Sequence, residues 1–171
     1  MPATILAQEV NQVTDSLNFT ESEWELLESA PMMAGLLVGD LSAPEGWVNE
    51  LNAVFDAAEW SEHASGSLLL RAVTERMVAR EGDSIDLPAD LPGSPAEARA
   101  HLIAGCRQAV KLVQQKLPAE AVAYRQWLLL LARKAAESTK EGGFLGIGGT
   151  VISAEERSAL HELETALAIA G

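Results

Sequence analysis

Residues 141–156 read EGGFLGIGGTVISAEE, and the reading of this stretch decides the fold class. Gly142, Gly143, Gly146, Gly148 and Gly149 interleave with Phe144, Leu145, Ile147, Val151 and Ile152. Glycine lets backbone amides close on an anion, so a phosphate loop is the sharpest reading. Such a loop follows a strand, and its commonest form carries a Lys-Ser/Thr pair at its end. Here the lead-in is helical in its periodicity and no lysine stands between Gly142 and Ser153. The exit, Ser153-Ala154-Glu155-Glu156, is a capping box that opens a helix. The stretch therefore reads as a helix-to-helix joint, with Gly142 or Gly143 ending the first helix in left-handed geometry. In that reading a compact loop tucks Phe144, Leu145 and Ile147 onto the core. The alternative leaves these three side chains exposed as a docking tip for a partner or lipid.

Composition agrees with helices. Of 171 residues 48% are hydrophobic, yet aromatics supply only 5%. Ala and Leu make up most of the apolar set, which favours packed helices over sheets. The length suits one domain with a sizeable core. Twenty-five acidic against 12 basic side chains give a net charge of −13. No local basic patch offsets that charge, so nucleic acid is not an expected ligand, whereas cations or a basic partner are compatible with it. Cys106 is the one cysteine, which excludes an internal disulfide and points to a reducing compartment. The opening MPATILAQEV lacks the basic start and long apolar run of a signal peptide. The most apolar run, residues 127–132, falls far short of the roughly 20 residues of a membrane span. The expectation is a soluble, cytoplasmic chain.

Taken in order, residues 1–18 form a lead-in. Thr20 and Glu23 then make a capping box, and Phe19 and Trp24 stand at the two ends of a hydrophobic staple. The helix they start is expected to be interrupted at Pro31, which removes a donor and clashes with the preceding turn. A new helix would run from Pro31 through Leu36 and Leu37 to Gly39. Ser42 and Glu45 make a second box, with Pro44 harmless in the first turn, and Trp47, Leu51, Val54, Phe55 and Ala58 recur at helical spacing. Another helix is expected over 68–80. Residues 82–93, rich in Pro, Gly and Asp, form a loop between halves. Ser94 and Glu97 make a third box, before a helix that turns Leu102, Cys106, Ala109, Val110 and Val113 inward. Pro118 opens the next helix, with Val122, Leu128, Leu129 and Ala132 in its pattern. Its middle, WLLLLA, is apolar nearly all round, so this helix is expected to be the most buried. Leu160, Leu163 and Leu167 carry the last helix. The whole is expected to be an all-α single domain over 1–171, a bundle of about six to seven helices of the packed type.

Two joints share one form: an apolar helix, a turn, and a Ser-x-x-Glu box opening a new helix. They are GDLSAPE at 39–45 and GGTVISAEE at 148–156. This repeated pattern resembles the tellurite-resistance TerB-like family. The resemblance implies a small all-helical domain of two similar halves, a stress-response role, and acidic residues at the joints that bind divalent cations. The residues it would assign are Asp40, Glu45 and Glu50 at the first joint and Glu156 at the second. Asp40 stands closer to its serine than the family pattern has it, and Gly149 occupies the acidic place of the second joint. Carboxylate oxygens from several positions suit Ca²⁺ or Mg²⁺. Glu45 and Glu156 also have a plainer role as helix caps, which makes Asp40 and Glu50 the better ligand candidates. No cofactor is required by this reading.

Other chemistry has little footing. His63, His101 and His161 are not at ligand spacing. His101, followed by Gly105, is similar to the phosphorylated helix of histidine phosphotransfer domains, but Ala104 replaces the lysine usual there. An exposed surface ring is the plainer reading. Cys106 lies on the apolar stripe as a small hydrophobe. The functional expectation is a non-enzymatic TerB-like protein that works through protein contacts or weak cation binding. The alternative is a partner-docking or phosphotransfer-like signalling module.

Overall fold

The computed structural model describes residues 14–39, 52–58, 66–80, 93–138 and 152–168, and every regular element among them is helical. The all-α expectation is met. Five longer helices are α1 (Glu21–Leu37), α2 (Leu68–Ala79), α3 (Pro95–Lys116), α4 (Ala121–Ser138) and α5 (Ala154–Ala166). A helical turn at 14–16, a helical segment at 52–58 and a 3-10 turn at Pro118–Glu120 complete the set.

Local sequence starts α1 and α5 as read, each with a full capping box. Thr20 Oγ1 accepts from the Glu23 amide at 3.3 Å, and Glu23 Oε2 accepts from the Thr20 amide at 2.7 Å. Phe19 and Trp24 close the staple edge-to-face, with ring centroids 5.1 Å apart. Lys116, at the end of α3, reaches the same corner. It donates to Glu23 at 2.6 Å and to the Asn18 carbonyl at 3.3 Å, and it stands 5.4 Å from the Phe19 ring. These contacts pull the Glu23 pKa down: first the Lys116 hydrogen bond, then the Thr20 amide. Ser94 caps α3 through the Glu97 amide, but its box has one arm. The Glu97 carboxylate takes the Ser94 hydroxyl at 2.8 Å instead of reaching back to an amide.

Pro31 does not interrupt its helix. It sits inside α1, fully within the packed face. The amide it lacks would have bonded the Leu27 carbonyl, four residues back. Tyr124 of α4 supplies the missing donor, its hydroxyl 2.8 Å from the Leu27 oxygen. Burial pushes the Tyr124 phenol well above its ordinary pKa and keeps it a neutral donor.

That substitution of donor lets α1 serve as the hub. It packs against α2, α3 and α4, and α4 in turn packs against α5. Ten of its 17 residues are buried, against eight of 18 in α4. The central place thus falls to α1, not to the helix carrying WLLLLA. In α4 Leu128, Leu131, Ala132 and Ala135 point inward, while Leu129 and Leu130 are half-covered. Val122 is 55% exposed, not part of the core. The 3-10 turn at Pro118–Glu120 separates Pro118 from α4, so the apolar stripe is set by Ala121 and Tyr124. The inward face of α3 is as expected, with Leu102, Cys106, Ala109, Val110 and Val113 buried.

Two glycines make room for side chains of neighbouring segments. A Cβ on Gly35 would strike the Val54 methyl from the 52–58 segment, and one on Gly105 would strike the Met33 sulfur. At Gly35 the β-branched Val54 has little room to give, whereas at Gly105 the flexible Met33 chain end could swing aside.

Candidate functional site

The sequence-derived candidates divide sharply. Asp40, Glu45 and Glu50, with Phe144, Leu145 and Ile147, lie outside the described residues. Glu156 lies within them, and it is engaged as a cap. Its amide donates to Ser153 Oγ at 3.1 Å and its carboxylate accepts from the Ser153 amide at 2.7 Å. Among the described residues no three His, Cys, Asp or Glu gather as a metal would require. His101 and His161 are exposed. Cys106 is fully buried, its Sγ donating to the Ala30 carbonyl at 3.5 Å, and burial pushes its thiol up to about 12. A thiol so placed is a poor nucleophile.

What the structure assembles instead is a groove of ≈1290 Å³ between α3, α5 and the end of α1. Its floor is apolar. Leu37 and Val38 supply the α1 end, Ala159 and Ala166 the α5 side. The α3 side carries Ala96, Ala100 and Ala104 at four-residue spacing, all exposed, with half-buried Ile103 beside them. This alanine ridge lies opposite the Leu102/Cys106/Val113 face, so α3 is apolar on both sides. Charges line the rims. Arg99 of α3 meets Glu162 of α5 at 3.5 Å. Arg107 on α3 and Glu155 on α5 also line the groove, and among the described residues neither has an ion-pair partner.

A second polar assembly, also invisible in the sequence, joins α1 to α2. Glu28 is only 6% exposed and pairs with Arg76 through Nε, while Arg80 Nε lies 3.1 Å from its second oxygen. Glu21 accepts from Arg76 at 2.6 Å and from Arg80 at 2.8 Å. The Arg76 guanidinium also lies over the Trp24 ring, 5.1 Å from its centroid. Burial, with the neighbouring Glu21 charge, raises the Glu28 pKa against the pull of Arg76 and Arg80. For Arg76, burial works against the charge, but the hydrogen bonds and charges of Glu28 and Glu21 outweigh it and raise its pKa. All four ionic groups are tied to one another across the helix pair, which makes this a structural clasp. The only signal in the sequence is helical spacing: Glu21 and Glu28 are seven apart, Arg76 and Arg80 four apart.

Set beside known proteins, the chain matches no family model, no curated protein and no solved structure. Among the described residues no helix is long and apolar enough to cross a membrane.

Proposed function

We propose that this chain is a non-enzymatic helical module that docks a protein segment in the groove between α3 and α5. The observation that carries the reading is the exposed ridge Ala96–Ala100–Ala104 beside Ile103, walled by α5. Exposed apolar surface that is contiguous, concave and rimmed by charge marks an interaction site more often than scattered apolar residues do. Its volume of ≈1290 Å³ exceeds the roughly 300–1,000 Å³ of common small-molecule pockets. A photo-crosslinking side chain placed at Ala104 tests the proposal, with Arg133 on the exposed side of α4 as control. The expected result is a defined adduct at 104 that is absent at 133 and lost when Ala100→Glu is added. Equal adducts at both sites, or indifference to Ala100→Glu, would overturn it.

The TerB-like reading, with tellurite resistance and weak Ca²⁺ or Mg²⁺ binding, draws no support from the comparisons. It rests on Asp40, Glu45 and Glu50, since Glu156 is held in its cap. Calorimetry with Ca²⁺, Mg²⁺ and Mn²⁺ tests it, and heat of binding lost in Asp40→Asn with Glu50→Gln is the outcome it requires.

A further inference from the structure

We infer that α5 is a releasable strap: it leaves the bundle as a unit ahead of the other four helices, and Arg125 of α4 is the latch that holds it. This motion is a property of the bundle itself, whatever the groove binds.

Burial sets α5 apart. Along its 13 residues only Ala159 and Leu163 are buried, joined by Leu167 just past its end. By contrast α2 buries six of 12 residues and α1 ten of 17. Ala159, Leu163 and Leu167 form a single i, i+4, i+8 row, flanked by half-buried Leu160, so α5 is seated along one narrow face. Its main packing is against α4 and α3, not the hub. An element that buries little apolar surface opens at a lower free energy than the core does.

The two ends of α5 are held differently. Its start is held from within, by the Ser153–Glu156 box and by Arg157, which donates to the Ile152 carbonyl at 3.2 Å. Its finish is held from outside. No basic residue stands in the last turn, where the partial negative charge of a helix end favours a cation. Arg125 supplies one from α4, with Nε 2.7 Å from the Leu167 carbonyl and Nη2 3.5 Å from that of Glu164. The residue before it, Tyr124, bonds the Leu27 carbonyl of α1. Successive residues of α4 thus tie down the hub and the strap. A further tie, Arg99–Glu162 at 3.5 Å, has side chains 35% and 44% exposed, and such surface pairs hold weakly.

A helix of 13 residues is marginal by itself in water, so release exposes its amides. Release also takes Ala159, Glu162 and Ala166 out of the groove, whose α5 wall therefore stands only while the strap is seated.

Native-state hydrogen exchange on the full chain, read by mass spectrometry on peptides from each helix, tests this. In the parent, α5 amides are expected to exchange faster than those of α1, α2, α3 and α4. Arg125→Gln should speed α5 exchange by about fivefold to tenfold, the scale of a partly screened charged hydrogen bond at a helix end. It should leave α1 and α3 unchanged, and Arg125→Lys, which keeps the cation, should recover part of the protection. Arg99→Gln should alter α5 exchange by less than about twofold. Protection of α5 equal to that of α1 overturns the inference, because the helix then opens only with the whole fold. So does an Arg125→Gln effect that is absent or spread evenly over all helices. Crosslinking at Ala104 judges the docking reading separately, so either can fail alone.

Discussion

The α1–α2 clasp and the α3–α5 groove both set opposite charges on facing helices, and they differ in what lies between. At the clasp Arg76 and Arg80 close on Glu28 and Glu21 with Trp24 beneath, and the Glu28 carboxylate is carried out of water. At the groove Arg107 and Glu155 stand on separate walls over an alanine floor. Burying an ion pair gives up hydration that the pairing only partly returns, so a clasp fixes geometry more than it adds stability. Leaving charges apart keeps their hydration and leaves their pairing to a partner. The same residue types are thus used in two ways, paired within the chain at the clasp and unpaired among the described residues at the rim of the groove.

Breaking the clasp should have the largest effect. Arg76→Met leaves Glu28 buried with Arg80 as its remaining cation, and urea unfolding should show a loss of about 2–3 kcal/mol. Adding Glu28→Met should recover most of it, which separates a misplaced charge from lost packing. If the single variant unfolds like the parent, the contrast between the two regions collapses. Next, Gly35→Ala drives a methyl into Val54 and should cost about 1–3 kcal/mol, with partial relief from Val54→Ala.

Tyr124→Phe removes the donor to the Leu27 carbonyl and should cost about 1–2 kcal/mol. In that background Pro31→Ala restores an amide to the same carbonyl, so it should recover stability. In the parent it has no vacant acceptor to serve, and its gain should be smaller.

The pH dependence of the clasp follows from Glu28. Its folded pKa is raised above its ordinary value near 4.5, so the folded state holds this proton more tightly than the unfolded chain does. The resulting contribution is fully present below the unfolded pKa and is lost as pH rises through the folded one. The difference in unfolding free energy between the parent and Glu28→Gln should therefore shift against the parent as pH rises from 4.5, and a flat difference would contradict the burial argument. The smallest effect belongs to the groove. Ala104→Leu adds apolar volume to an open, exposed floor, and its change in stability should stay within about ±0.5 kcal/mol. A large change there would mean that the floor is packed, not open.

The sequence disclosed what is local. Phe19, Thr20, Glu23 and Trp24 lie within one turn of each other, and Ser153 reaches Glu156 without help from the rest of the fold. The inward stripe of α3 was legible because its spacing is regular over most of the helix. Pro31 misled because its compensation comes from Tyr124, far along the chain, and local rules see only the missing amide. The WLLLLA run overstated the burial of α4, since composition cannot tell a hub from a helix with one half-covered side. As for sites, Glu156 was correctly seen as a cap, while the groove was hidden. Alanines 96, 100 and 104 lie off the inward stripe of α3, and only the folded chain shows them exposed beside Leu37, Val38 and Ala159.

The placement of Cys106 has a practical consequence for motion. It is the chain's one thiol, sealed where α3 meets the hub and bonded to the Ala30 carbonyl just before Pro31. A reagent can reach it only when α3 lifts away from α1, so its alkylation rate under native conditions counts those openings. The protein therefore carries its own clock for breathing of the core. Because the groove uses the other side of α3, an occupant that braces this helix from outside should slow that clock without touching the sulfur.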